Sequence, residues 1–121
     1  MAKRIAIITD EAGWHGTQLR RAFKARGYES SYVSLKKCRL DFDNPAHGLA
    51  IHGFGKSLPD GVFVRGISGG SFEQVTFRLD ILHTLQELSV PVYNDAGAIE
   101  RSVDKARTSL RLKLAGVATP P

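Results

Sequence analysis

One cysteine, Cys38, among 121 residues excludes an internal disulfide, so the fold rests on its core alone and suits a reducing compartment, the cytoplasm. Cys38 itself has no catalytic sequence context and reads as a partly buried, inert thiol. No apolar run approaches the roughly 20 residues a helix needs to cross a bilayer, and the apolar stretch at residues 4–9 is too short for a signal-peptide core. Neither a membrane partner nor secretion is expected. The glycines form neither Gly-x-Gly-x-x-Gly nor Gly-Lys-Ser/Thr, which leaves a dinucleotide site or a P-loop without support. His47 and His52 share a loop with Asp41 and Asp43, but beyond those two no acid or thiol stands at convincing ligand spacing, so no metal site is expected. There is no internal repeat and no low-complexity tract.

Acids are also scarce: 17 basic side chains stand against 12 acidic ones, for a net charge of +5. That excess admits a polyanionic partner, or cations gathered for phosphates and carboxylates. The C-terminal cluster of Arg101, Lys105, Arg107, Arg111 and Lys113 lacks interleaved aromatics for base stacking, so nucleic acid is not the expected partner. With 42% hydrophobic and 24% charged residues, the composition is that of one ordinary globular domain able to bury its own core.

What is present is an alternation of strands and helices. Arg4-Ile5-Ala6-Ile7-Ile8-Thr9 is the continuous apolar run of a strand buried on both faces of a parallel sheet. Leu19, Ala22 and Phe23 follow at helical spacing until Gly27, and residues 28–35 read as a second strand, completing a right-handed crossover unit. Residues 36–59 are punctuated by Asn44-Pro45, Gly48, Gly53 and Gly55 and read as a long loop or a small hairpin around Leu49-Ala50-Ile51. Gly61-Val62-Phe63-Val64-Arg65 is a further buried strand. A helix is expected over 71–88 with Val75, Leu79, Leu82 and Leu85 on one face. A short strand at 90–93 and a helical segment from Ala96 complete the pattern. These elements predict a three-layer α/β sandwich around a mainly parallel, Rossmann-like sheet, in which ligands bind beyond the carboxyl ends of the strands.

The residues to examine are therefore 10–16, 65–71 and 94–98. Arg65-Gly66-Ile67-Ser68-Gly69-Gly70-Ser71 joins a strand to a helix N-terminus, where backbone N–H groups and the helix dipole favour an anion and Arg65 adds a carboxylate or phosphate clamp. The same residues equally form a tight turn with Ser71 as helix cap and Arg65 paired to a surface acid. Asp10, Trp14 and His15 offer an acid, an aromatic plate and an imidazole at the end of the first strand. A phospho-acceptor receiver domain would end the strand at residue 65 in an Asp, and here it ends in Arg65. The plainer expectation for His15 is a hydrogen bond that holds the turn, for Trp14 a core or helix-staple position, and for His83 a structural role.

The C-terminal stretch carries the most specific pattern: Asn94, Ala98-Ile99, Arg101-Ser102 and Asp104-Lys105, then Ala115-Gly116-Val117-Ala118-Thr119-Pro120-Pro121. With residues 4–9, Val33-Ser34-Leu35 and Cys38, Ile51-His52-Gly53, and the run from Leu58 to Gly66 that carries Arg65 at the strand's tip, it resembles the N-terminal, pre-ATP-grasp domain of the RimK-type α-L-glutamate ligases in the ATP-grasp superfamily. The resemblance implies that residues 1–93 are that domain and that 94–121 are a connector leading into an ATP-grasp domain absent from this chain. It implies an ATP-dependent ligase that activates a carboxylate as an acyl phosphate for attack by an amine. This chain would then be inactive alone and hold no catalytic residue. Asp10, Trp14, His15, Arg65, Gly69, Gly70 and Ser71 would wall the acceptor site, and Lys105 would reach the ATP phosphates. ATP and Mg2+ would be held mostly by the missing domains, with glutamate added to a small molecule or peptide. Gly69-Gly70-Ser71-Phe72 and Trp14-His15-Gly16 depart from the members that modify a ribosomal protein and leave the acceptor open. Apolar residues of the connector, such as Val103 and Leu114, would be the missing domain's footprint or a dimer interface. The alternative reading is a complete basic α/β module that binds nucleic acid or an anionic ligand without catalysis.

Overall fold

The apolar run at the N-terminus forms β1 (Arg4–Ile8), and it lies between two parallel neighbours, β2 (Glu29–Val33) and a strand from the middle of the chain (Gly61–Val64). The computed structural model describes residues 2–103 and 105–118. Position between two strands and two helical layers explains why Ala6, Ile7 and Ile8 are all buried, on both faces of β1. Between β1 and β2 runs α1 (Gly13–Ala25), which ends where Gly27 takes a φ of +83° that an L side chain rarely adopts.

Residues 36–59 form the small hairpin, β3 (Arg39–Leu40) antiparallel to β4 (Leu49–Ala50), reached through a short 3-10 turn at Leu35–Lys37. Its loop is tied from within. The backbone N–H of Leu49 donates to His47 Nδ1 at 3.0 Å, so the ring proton sits on Nε2, 2.9 Å from the carbonyl of Lys56. His52 is exposed. Cys38 is buried, and that burial pushes its thiol pKa up.

The Gly61–Val64 strand is β5, and it pairs in turn with β6 (Val92–Tyr93), giving the parallel order β2-β1-β5-β6. Strand residues alternate between faces. Phe63 meets Phe23 of α1 edge-on at 6.1 Å, whereas Val62, Ala6 and Ile8 join the other side, in one cluster with Ile81, Leu82 and Leu85 of α2 (Phe72–Glu87). The hairpin segment covers the same side through Leu49, Ile51 and Phe54. The three-layer α/β sandwich read from the sequence is present.

Ser71 caps α2. Its hydroxyl accepts from the N–H of Gln74 at 3.2 Å while Gln74 Oε1 accepts from the N–H of Ser71 at 2.9 Å. Of the expected stripe, Leu79, Leu82 and Leu85 are buried and Val75 is partly exposed. The chain continues into α3 (Ala96–Val103) and α4 (Lys105–Leu114). Asp95 opens α3, its carboxylate accepting from the N–H of Ala98 at 3.2 Å and from Gln86 Nε2 at 2.8 Å. Ala96 is part of the core cluster and Ile99 packs on it, while His83 Nε2 lies 3.3 Å from Glu100 Oε2 and links α2 to α3. On α4, Leu110 and Leu114 are exposed. Among the described residues no helix is long and apolar enough to cross a membrane.

Candidate functional site

Where strand order reverses in a parallel sheet, the loops after the two flanking strands turn opposite ways and leave a crevice. Here α1 leaves β1 on one side of the sheet and α2 follows β5 on the other, so the crevice opens between residues 9–15 and 65–67. It is a cleft of about 450 Å³ lined by Thr9, Asp10, Gly13, His15, Arg65 and Gly66, among others. Three of the sequence-derived site residues, Asp10, His15 and Arg65, thus come together.

Asp10 is more fastened than its sequence context suggested. Its Oδ1 accepts hydrogen bonds from Ser34 Oγ and Ser68 Oγ, both at 2.5 Å, and its Oδ2 lies 3.9 Å from Lys36 Nζ. One carboxylate so joins the ends of β1, β2 and β5. The Ser34 hydroxyl, then the Ser68 hydroxyl, hold its pKa below the ordinary carboxylate value; partial burial opposes them, and Lys36 and Arg78 assist. Because the folded-state pKa is lowered, the link contributes its full stability above the unfolded value, about pH 4, and loses it as pH falls through the folded one. Asp10→Asn is expected to cost about 1 kcal/mol at pH 7, a modest figure for a side chain that water still screens. The deficit should shrink as the pH falls below about 4 and through the lowered folded-state pKa, a trend that urea unfolding of both proteins over that range measures.

Arg65 is exposed and forms no salt bridge among the described residues, so the surface-acid pairing considered for it is not found. Its backbone N–H and that of Gly66 both donate to the carbonyl of Ile8, at 2.8 and 3.0 Å. Those donors are unavailable to a ligand, and the N–H groups of Ser71 and Gln74 are committed to the capping box.

The remaining sequence-derived residues stand apart from the cleft lining. Trp14 is 70% exposed and stacks edge-on against His15 with ring centroids 5.2 Å apart, so neither a core nor a staple position is realised. His15 makes no side-chain hydrogen bond among the described residues, contrary to the turn-holding role expected of it. Gly69 presents its carbonyl to Arg78, Gly70 adjoins the Gln74 side chain, and Ser71 is the helix cap. Asp104 and the Lys105 side chain lie outside the described residues, as do Thr119, Pro120 and Pro121.

Sequence reasoning missed Ser34, Lys36 and above all Arg78, whose Nη1 donates to the carbonyls of Ser68 at 3.0 Å and Gly69 at 2.6 Å from a buried position. A cation three residues from Val75 and four from Leu82, on the edge of an apolar stripe, was the available sign.

The sequence matches the family described as the RimK PreATP-grasp domain over residues 3–99. The chain belongs to the RimK pre-ATP-grasp domain family. It is 32% identical over 123 aligned positions to the tetrahydromethanopterin:alpha-L-glutamate ligase of Methanosarcina acetivorans, an alignment that takes in 98% of this chain and 38% of that protein. The pre-ATP-grasp domain also superposes on a crystal structure of a RimK domain ATP-grasp protein from Sphaerobacter thermophilus, with a TM-score of 0.67 and 27% identity over 98% of this chain and 39% of the other. The fold alone is shared with the ATP-grasp ligase PsnB, solved with a minimal precursor, Mg and ADP: TM-score 0.64, 17% identity, 97% of this chain and 45% of that one. The pre-ATP-grasp domain therefore spans about two-fifths of the length of the curated relative it matches.

Proposed function

We propose that this domain is the acceptor-side wall of an ATP-dependent carboxylate–amine ligase that adds glutamate to a small-molecule or peptide acceptor. In this reading residues 1–93 form the substrate-side domain, and 94–121 lead into a nucleotide-binding part supplied by further chain. ATP is the co-substrate: its γ-phosphate activates a carboxylate as an acyl phosphate, which the amine attacks to form the amide and release phosphate. Among the described residues no group of three His, Cys, Asp or Glu side chains could hold a metal ion, so the Mg2+ ligands are assigned to that further chain, with Lys105 as a phosphate contact from this one. We assign the protein to the cytoplasm, where ATP is at hand and a lone thiol stays reduced.

Arg65 carries the proposal. An exposed arginine without a described acidic partner, at the carboxyl end of a central strand and beside a cleft, suits bidentate capture of a carboxylate. Asp10 does not act as a free ligand here; it holds the turn that presents Arg65. His15, at the cleft rim, offers its ring nitrogens to the acceptor substrate, with Trp14 beside it. Gly69, Gly70 and Ser71 shape the turn.

The test begins with the native gene product, detected with an antibody against this domain. A mass well above 13.2 kDa and ADP release that requires ATP, Mg2+, glutamate and an acceptor are expected. In that enzyme Arg65→Ala should raise the KM of the carboxylate-bearing acceptor about tenfold, the loss of one charge-assisted pair, with the KM for ATP unchanged. A native mass of 13.2 kDa sinks the ligase reading, and an effect on ATP alone sinks the role of Arg65.

A further inference from the structure

A second groove, of about 800 Å³, lies between α1 and the outer edge of the sheet. Its floor is β2, an edge strand. The N–H of Glu29 donates inward to the carbonyl of Lys3 at 2.9 Å, and the carbonyl of Val33 accepts inward from the N–H of Thr9 at 3.1 Å. Backbone groups alternate in direction along a strand, so those of Ser30 and Tyr32 point outward. They offer two donors and two acceptors on an edge that no strand of the described residues pairs with.

The wall above that edge carries charge of one sign. The thirteen residues of α1 contain no acid, and Arg20, Arg21 and Lys24 line the groove with Glu29 as its one carboxylate. Among the described residues none of the three cations is in a salt bridge. Arg20 lies over the Tyr32 ring, 5.4 Å from its centroid, which holds the guanidinium along the strand.

These features select an occupant. A bare strand edge pairs with a polypeptide that has free amides, and nucleic acid has none to offer. Three cations with no acidic partner among the described residues call for carboxylates, whereas a second copy of this chain would bring Arg20, Arg21 and Lys24 against their own duplicates. We propose that the groove between α1 and β2 docks an extended acidic peptide that adds to β2 as a further strand and sets alternate Asp or Glu side chains against Arg20, Arg21 and Lys24. At about 3.3 Å per residue, the five residues of β2 accommodate a segment of similar length. Ala12 lines both this groove and the cleft, so the seated peptide runs toward the cleft mouth. The docking site goes beyond the ligase reading and stands or falls independently of it.

The probe is a fluorescein-labelled, end-blocked Glu-Val-Glu-Val-Glu-Val peptide, titrated into the 121-residue chain by fluorescence anisotropy at low salt, with backbone amide shifts followed by NMR. Saturable binding is expected, with the largest shifts at Ser30 and Tyr32. The pair Arg20→Glu with Lys24→Glu should weaken it about tenfold or more, and Arg20→Gln with Lys24→Gln serves if charge reversal disturbs the fold. N-methylating either the glutamates or the valines separates strand addition from simple charge attraction: one set should lose about tenfold and the other should be tolerated. No binding at millimolar peptide overturns the proposal. So does equal tolerance of both methylated sets, tighter binding of a single-stranded oligonucleotide, or a dimer in sedimentation that buries this face.

Discussion

Arg78→Met is expected to lower the unfolding free energy by about 2 kcal/mol and to loosen the turn that presents Arg65. Methionine fills the volume of the arginine stem, so what is lost is the guanidinium's hold on two carbonyls. Gly69 is exposed and its carbonyl can turn to water, but Ser68 is only 2% exposed and its carbonyl is left without a donor, a cost of about 1–3 kcal/mol. Release of a buried cation returns part of that, which keeps the net effect near the middle of the range. Asp10 also loses a cation that favours its charged form, so its pKa should rise in the variant. Arg78→Lys keeps the charge without the planar fork and should fall between the two proteins. Urea unfolding at pH 7 and the amide resonances of Ser68 and Gly69 check this; unchanged stability with unmoved resonances would remove Arg78 from the account.

Leu82→Ala should cost more, about 3 kcal/mol. Leu82 is fully buried in one cluster with Ala6, Ile8, Val62, Ile81 and Leu85, where the β1–β5 face meets α2. Truncation forfeits the transfer energy of its methyl groups and leaves a cavity that two strands and a helix cannot close. Against a total stability of about 5–15 kcal/mol for a domain of ordinary size, that is a large share. Leu114→Ala, at a position 80% exposed, should change stability by less than about 0.5 kcal/mol in this chain. Denaturant midpoints of the two variants measured side by side decide it, and equal costs would contradict the core assigned here.

How much of this was legible in the sequence depends on the range of the interaction. β1 announced itself because a strand covered on both faces leaves no position for a polar residue between Ile5 and Ile8. The start of α2 was equally plain, since Ser71 and Gln74 form their box within one turn. The cleft was located at the strand ends by topology alone. What stayed hidden was the wiring that gives it shape. Asp10 reaches Ser34 and Ser68 across 24 and 58 positions, separations at which no local pattern operates. Arg78 was invisible to a search for apolar periodicity because it is buried as a cation. Trp14 failed for a related reason: its size argues for burial, but the first turn of α1 leaves the sheet toward solvent. The edge of β2 emerged only once strand order was known, because a sequence of Ser30, Ser31 and Tyr32 does not say which strand lacks a neighbour.

The central position of β1 also bears on how the protein is made. β1 emerges from the ribosome before both of its neighbours, and the partner of Ile5 on its far side is Gly61. At about 5–20 residues per second, translation takes on the order of several seconds to deliver that partner. Throughout that interval a strand as apolar as Ile5-Ala6-Ile7-Ile8 has at least one bare edge. Slowing translation between residues 33 and 61 lengthens that interval and should lower the yield of folded protein.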